Sequence, residues 1–261
     1  MEKERKEVTI NLDTLGVPIA IIIAALIIAG VVWMTNSKRN TTSLGNESKS
    51  GTVTQDSGSK ETENSETNTN SDSSSSKGVS ARVDNDPFLG DRSKAKVAVV
   101  EFSDATCSYC QRHEDQTLPE IKKNYVDTGK VIYVFKEWPR GDNGSLTYEI
   151  AEGGMCVYDQ KGSEVFAEYH KEAFNITNIA GIKTLATKLG VDVKAFEKCM
   201  EDGKFVDDLD SDRTEGKKVG VSGTPGFVVG KLDAEGNVTG ELIPGAYPYS
   251  TFQSAIDKYL E

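Results

Sequence analysis

The sequence predicts an α/β domain with an inserted helical subdomain, preceded by one transmembrane helix and a disordered linker. Three observations carry this. Residues 15–34 contain no charge and are mostly apolar. Residues 35–80 hold almost no large apolar side chains. Residues 81–261 read as strand, helix, strand, a helical block over about 145–218, then two strands and a last helix.

After a polar N-terminal tail, 1–14, the segment "LGVPIAIIIAALIIAGVVWM" at 15–34 would rise about 30 Å as a helix, enough to cross a hydrocarbon core. A cleaved signal peptide has a shorter apolar region followed by small residues. Here the run ends in Val31, Val32, Trp33 and Met34, and tryptophan suits a membrane interface. The expectation is an uncleaved anchor. Lys3, Arg5 and Lys6 before it balance Lys38, Arg39 and Lys49 after it, so flanking charge does not fix the orientation.

Between 36 and 80, only Leu44, Val53 and Val79 are large and apolar, and thirteen residues are serine. Such a chain cannot bury enough apolar surface to offset its conformational entropy. It reads as a flexible tether with a reach of roughly 35–40 Å. Residues 81–261 are of single-domain size and carry 22 Lys/Arg against 31 Asp/Glu, a net of −9. That argues against nucleic acid as a partner, since phosphate contacts need a cationic surface.

Within the domain, "KVAVVEFS" (96–103) and "VIYVFKEW" (131–138) are rich in β-branched and aromatic residues and predict strands. The stretch between them is helical in composition, with a break expected at Pro119. In the helical block, Val165, Phe166, Tyr169, Ala173 and Phe174 share one face. Gly190 and Gly203 close two further helices as C-caps. "GTPGFVVGK" (223–231) returns to strand character, and "GNVTGELIPGA" (236–246) reads as its hairpin partner. The last helix, 249–260, has Phe252, Ile256, Tyr259 and Leu260 on one face and capping-box spacing at Ser250 and Gln253.

All four cysteines lie in this domain. Cys107 and Cys110 sit two residues apart in "FSDATCSYCQRHE", at the strand-to-helix junction. They could be a redox pair, half of a metal site, or a structural staple. A thiol at the first turn of a helix faces unpaired N–H groups and the positive end of the dipole, which favour its thiolate. A four-cysteine zinc site needs a second close pair. Cys156 and Cys199 instead lie 46 and 89 residues beyond Cys110, and 43 apart. No metal and no cofactor are expected.

"VAVVEFSDATCSYC" at 97–110, Ser-Gly-Thr-Pro before a late strand, the C-terminal helix and the helical insertion together resemble the DsbA-like thiol:disulfide oxidoreductases of thioredoxin-like fold, over about 88–261. The resemblance implies that Cys107 is the attacking thiol and Cys110 the resolving one. It implies that Thr224 offers its backbone to an extended substrate, that Pro225 is cis, and that Tyr109 joins the substrate-binding surface. Glu101, six residues before Cys107, would lie under the pair as a proton relay; the alternative is an outward-facing strand carboxylate. In the strongest oxidants of the family the residue at the Tyr109 position is histidine, so the thiolate here lacks that support. His113 and His170 read as solvated. Cys156 and Cys199, each among apolar neighbours, are expected to form a structural disulfide; two free buried thiols are the alternative.

The functional expectation is a thiol:disulfide oxidoreductase acting through Cys107–Cys110 on exported, cysteine-containing proteins, as extended or unfolded chains, in the role of disulfide donor. A membrane redox partner would reoxidise it. A disulfide donor belongs outside the reducing cytosol, which places the domain on the extracytoplasmic side of the cell membrane. The rival on the same fold is a reductase or isomerase. The rival of another class is a tethered binding module with structural cysteines or zinc.

Overall fold

The computed structural model describes residues 78–261. The expected tail, anchor and nearly all of the linker lie outside the described residues. Among the described residues, no helix is long and apolar enough to cross a membrane.

The elements run β1 (Val79–Arg82), β2 (Phe88–Leu89), β3 (Val97–Ser103), α1 (Ser108–Gln116), α2 (Leu118–Ile121), a π-helical turn (Lys122–Val126) and β4 (Val131–Glu137). The insertion follows as α3 (Leu146–Lys161), α4 (Ser163–Ala173), α5 (Ile179–Lys188), α6 (Val193–Glu201) and α7 (Val206–Val219). The chain closes with β5 (Gly226–Leu232), β6 (Asn237–Pro244) and α8 (Tyr249–Leu260). One sheet results, in the order β1-β6-β5-β3-β4-β2. Among the described residues only β3 and β4 pair in parallel, as a strand–helix–strand unit requires.

β3 is buried along its whole length because both faces of the sheet are covered. Alternation sends Val97 and Val99, with Tyr133, Phe135, Phe227 and Val229 of its neighbours, into one core against Leu118, Ile121, Phe252 and Ile256. Ala98, Val100 and Phe102 face the other way, with Ile132, Val134, Val219 and Val228. Gly216 lets α7 approach that second face, since a Cβ there would stand 3.0 Å from Phe102. A third core lies within the insertion, around Ile150, Tyr169, Ile182 and Phe196.

Several expectations need correction. The domain starts in β1 at Val79, inside the stretch read as linker, because Val79–Arg82 pair with β6 as an edge strand. The helical break falls at Thr117, and Pro119 stands in the first turn of α2, where its missing N–H costs nothing. The expected capping box at Ser250 and Gln253 does not form; Pro248 is the N-cap of α8 and Ser250 lies inside the first turn. Asn178 and Asp192 do cap α5 and α6, accepting from Gly181 N and Ala195 N.

A buried ammonium ties distant segments together. Lys136 of β4, 2% exposed, meets Asp86 at 2.9 Å, Asp212 at 2.8 Å and Glu215 at 3.0 Å. The first belongs to the β1–β2 loop and the other two to α7.

Candidate active site

Cys107 is the N-cap of α1, with extended backbone. Its position is set by the turn before it. The buried Asp104 carboxylate accepts from Thr106 N and Thr106 Oγ1, each at 2.6 Å, and from Arg140 N at 2.8 Å and Arg140 Nε at 3.1 Å. Cys107 N in turn donates to Asp104 O at 2.9 Å. One carboxylate thus fixes both the β3–α1 turn and the loop after β4.

Cys107 is 6% exposed and Cys110 is fully buried, so an incoming sulfur can meet only the first. Both are free thiols. Cys107 Sγ lies 3.3 Å from Thr224 O, and the Thr224–Pro225 bond is cis. The Cys107 thiol is brought down from 9.0 to about 5. The Cys110 thiol, donating to it, is the main cause; burial opposes; the Thr224 hydroxyl and the N–H groups of Cys110 and Tyr109 add to it. As a thiol Cys107 donates to the Thr224 carbonyl. As a thiolate it can accept from the Thr224 hydroxyl, which is buried and otherwise unpaired. Burial pushes the Cys110 thiol up, and its bond to Cys107 and the nearby Glu101 push it further. No histidine is needed for this asymmetry.

Glu101 faces inward from β3 at 1% exposure, which removes the outward-facing alternative. Its Oε2 accepts from Tyr133 Oη at 2.6 Å, and Tyr133 Oη lies 2.9 Å from His113 Nε2. Burial raises its proton affinity above the ordinary carboxylate range, against the pull of His170 and Tyr133. Both histidines are buried, at 1% and 3%, contrary to the solvated reading. His113 packs on Phe227 and Phe252 and is held down to about 3 by burial, with His170 adding to it. For His170, burial pulls the other way but loses to the Glu114 carboxylate 3.2 Å away, and the ring rises to about 9. Glu137, at the end of β4, is raised by burial to about 7.

Sequence reasoning did not reach Tyr133, Glu114, Glu137, Asp104 or Arg140. A signal existed for the first two. Period-two alternation puts Tyr133 on the Glu101 face of the sheet, and Cys110, His113 and Glu114 share one helical face.

Beside Cys107 a groove of about 400 Å³ is lined by Tyr109, Arg112, Thr224, Pro244, Tyr247 and Pro248. Tyr109 is 57% exposed at its rim, with the Arg112 guanidinium 5.0 Å from its ring centre. Cys156 and Cys199 lie apart from all this, in the insertion. They are joined as a disulfide with Cα atoms 6.0 Å apart. Among the described residues, no group of three or more His, Cys, Asp or Glu side chains could hold a metal ion.

A family model described as Thioredoxin matches residues 82–257. A Rickettsia conorii protein with the provisional name protein-disulfide oxidoreductase is 26% identical over 181 residues, 68% of this chain and 61% of its own length. The chain therefore spans about three fifths of that relative. A Bacillus cereus protein provisionally named disulfide bond formation protein D is 28% identical over 180 residues, 65% of this chain and 77% of its own. The crystal structure of Wolbachia pipientis alpha-DsbA1 superposes with a TM-score of 0.58 at 24% identity, covering 68% of this chain and 92% of that one. Oxidised BdbD from Bacillus subtilis gives 0.58 at 20% identity, covering 70% and 98%. These two likenesses establish the fold, a thioredoxin-like α/β domain with a helical insertion.

Proposed function

The chain belongs to the thioredoxin family, and from that premise we propose that its folded domain is a DsbA-like protein thiol:disulfide oxidoreductase working through Cys107 and Cys110. The observation that carries this is the asymmetry of the pair: an N-cap sulfur held as a thiolate at neutral pH, beside a fully buried partner whose proton is held tightly. A structural staple or a binding module has no use for that difference.

In the donor direction, a substrate thiolate attacks Cys107 Sγ and the Cys107–Cys110 bond breaks. Its electron pair leaves on Cys110, which takes up a proton. A second substrate thiolate then attacks the substrate sulfur of the mixed disulfide and releases Cys107 as a thiolate. A stable Cys107 thiolate is a good leaving group, which favours this direction. The substrates are extended or unfolded cysteine-containing chains lying along the groove past Tyr109 and the Thr224 backbone. The pair is reoxidised by a membrane partner's disulfide. Donation of disulfides requires an oxidising compartment, so the domain works on the extracytoplasmic face, held by the apolar segment 15–34.

Cys107→Ser should abolish exchange, and Cys110→Ser should accumulate mixed disulfides through Cys107. Accumulation by the Cys107→Ser protein would reverse the assignment. Refolding of a reduced, disulfide-requiring substrate should proceed faster than reduction of insulin; the opposite ranking would make the protein a reductase.

A further inference from the structure

We propose that Tyr133 and His113 are positioning residues for Glu101, holding its Oε2 so that Oε1 is the oxygen that exchanges a proton with Cys110. The inference rests on the reading of Cys107 and Cys110 as the exchanging pair. It starts from a closed circuit of elements. Cys110 and His113 are three residues apart on α1; Tyr133 comes from β4 and Glu101 from β3. His113, Tyr133 and Glu101 are each at most 1% exposed, so no water competes for their protons.

The proton positions follow from counting donors. Tyr133 has one hydroxyl proton and gives it to Glu101 Oε2 at 2.6 Å. The 2.9 Å contact with His113 Nε2 must then be donated by the ring. His113 Nδ1 is left bare, buried and without a partner. At the other end of the chain Glu101 Oε1 is also buried without a partner of hydrogen-bond geometry, with the Ser103 hydroxyl beside the carboxyl and helping to lower its proton affinity. Oε2 is thus occupied and Oε1 is free, while the charge of Glu101 is felt at Cys110. A buried carboxyl with one oxygen tied down has a defined direction for its proton.

The chemistry needs that direction. When a substrate thiolate opens the pair, the electrons of the S–S bond leave on Cys110 Sγ. The proton that neutralises this sulfur comes from the Glu101 carboxyl, leaving a carboxylate that the Tyr133 hydroxyl supports. On reoxidation by a partner's disulfide, Cys110 returns the proton to Glu101 as its sulfur bonds to Cys107, and the partner's sulfurs take the electron pair. The charged and titratable groups around Glu101 are Cys110, His113 and Glu114 on α1, Tyr133 and Glu137 on β4, and His170 on α4.

The test uses the full chain. Tyr133→Phe removes the hydroxyl and keeps the ring. The carboxyl band of Glu101, identified by its loss in Glu101→Gln, is titrated by infrared difference spectroscopy. Loss of one hydrogen bond to the charged form should move the titration up by about 1–2 pH units. The pH limb of the Cys110 step should move with it. His113→Leu, which strips the donor from Tyr133, should shift the titration in the same direction by less, and it reads the proposal independently if Tyr133→Phe does not fold. An unmoved Glu101 titration in either folded variant would overturn the proposal. So would a shifted pH limb when Tyr133→Phe is added to Glu101→Gln. Absence of disulfide exchange by the unaltered chain, with the carboxyl shift intact, would overturn the functional reading and leave the Glu101–Tyr133–His113 assignment standing.

Discussion

Cys107 gains its character from its neighbours, and this has a consequence for stability. In the unfolded reduced chain its thiol titrates at 9.0; in the folded chain it titrates at about 5. Between these values the unfolded state binds a proton that the folded state does not, so stability rises with pH. The contribution is present above about 9 and is lost as pH falls through about 5. Its slope is at most ~1.4 kcal/mol per pH unit, less where water screens the sulfur. Urea unfolding of the reduced protein should therefore show its advantage over Cys107→Ser growing from pH 5 to pH 9; a constant difference would refute the thiolate assignment. At this scale the sequence was readable where residue type and position agreed. Cys107 and Cys110 lie at the strand-to-helix junction and Glu101 on the strand before them, as their positions predict. The two histidines were misplaced because histidine is commonly solvent-facing, and because the polar face of α1 that holds Cys110, His113 and Glu114 looks like a surface until the sheet is laid under it.

The insertion shows what an element contributes beyond its residues. Its first four helices, α3 to α6, enclose their own core, and the Cys156–Cys199 bridge joins α3 to α6 across two intervening helices. Gly153 is needed there, since a Cβ would stand 2.5 Å from Ile182 and 2.8 Å from the Tyr169 hydroxyl. Closing a loop over a separation of 43 residues should stabilise the fold by about 4 kcal/mol in the chain-entropy account. The Cys156→Ser/Cys199→Ser double variant should lose about that much in urea unfolding while exchange at Cys107 continues. Loss of exchange in the folded variant would tie the bridge to the active site instead. Among the elements, those with strong periodicity were legible, as were the helices ended by Gly190 and Gly203. β1 and β2, four and two residues long, were not. So short a strand is made by its sheet partner, through the β6 and β4 ladders, and carries almost no pattern of its own.

Across the whole molecule, Lys136 is the point where three distant parts of the chain converge. Its ammonium balances carboxylates from the β1–β2 loop and from α7, and Glu215 also accepts from Arg82 N of β1. Removing the ammonium leaves the buried Asp86 and Asp212 and the partly buried Glu215 without their counter-charge. Lys136→Ala should cost about 3–5 kcal/mol in chemical denaturation, and the loss should shrink in acid as the carboxylates take up protons. An equal loss at both pH values would mean that packing, not charge, is what Lys136 supplies. This convergence could not be read beforehand, because a lysine inside a strand carries no mark of where its partners will come from.

The separation of the two cysteine pairs also sets the electron capacity of the molecule. Four cysteines can release four electrons, and four thiols can be joined in three ways. The fold commits one pair to a core of its own, with Cys156 fully buried and Cys199 at 7% exposure, away from the groove beside Cys107. The folded, oxidised protein should then titrate with a small dithiol as a single two-electron couple, and release its second couple only on unfolding. The bridge made during folding is withdrawn from circulation, out of reach of the Cys107 sulfur.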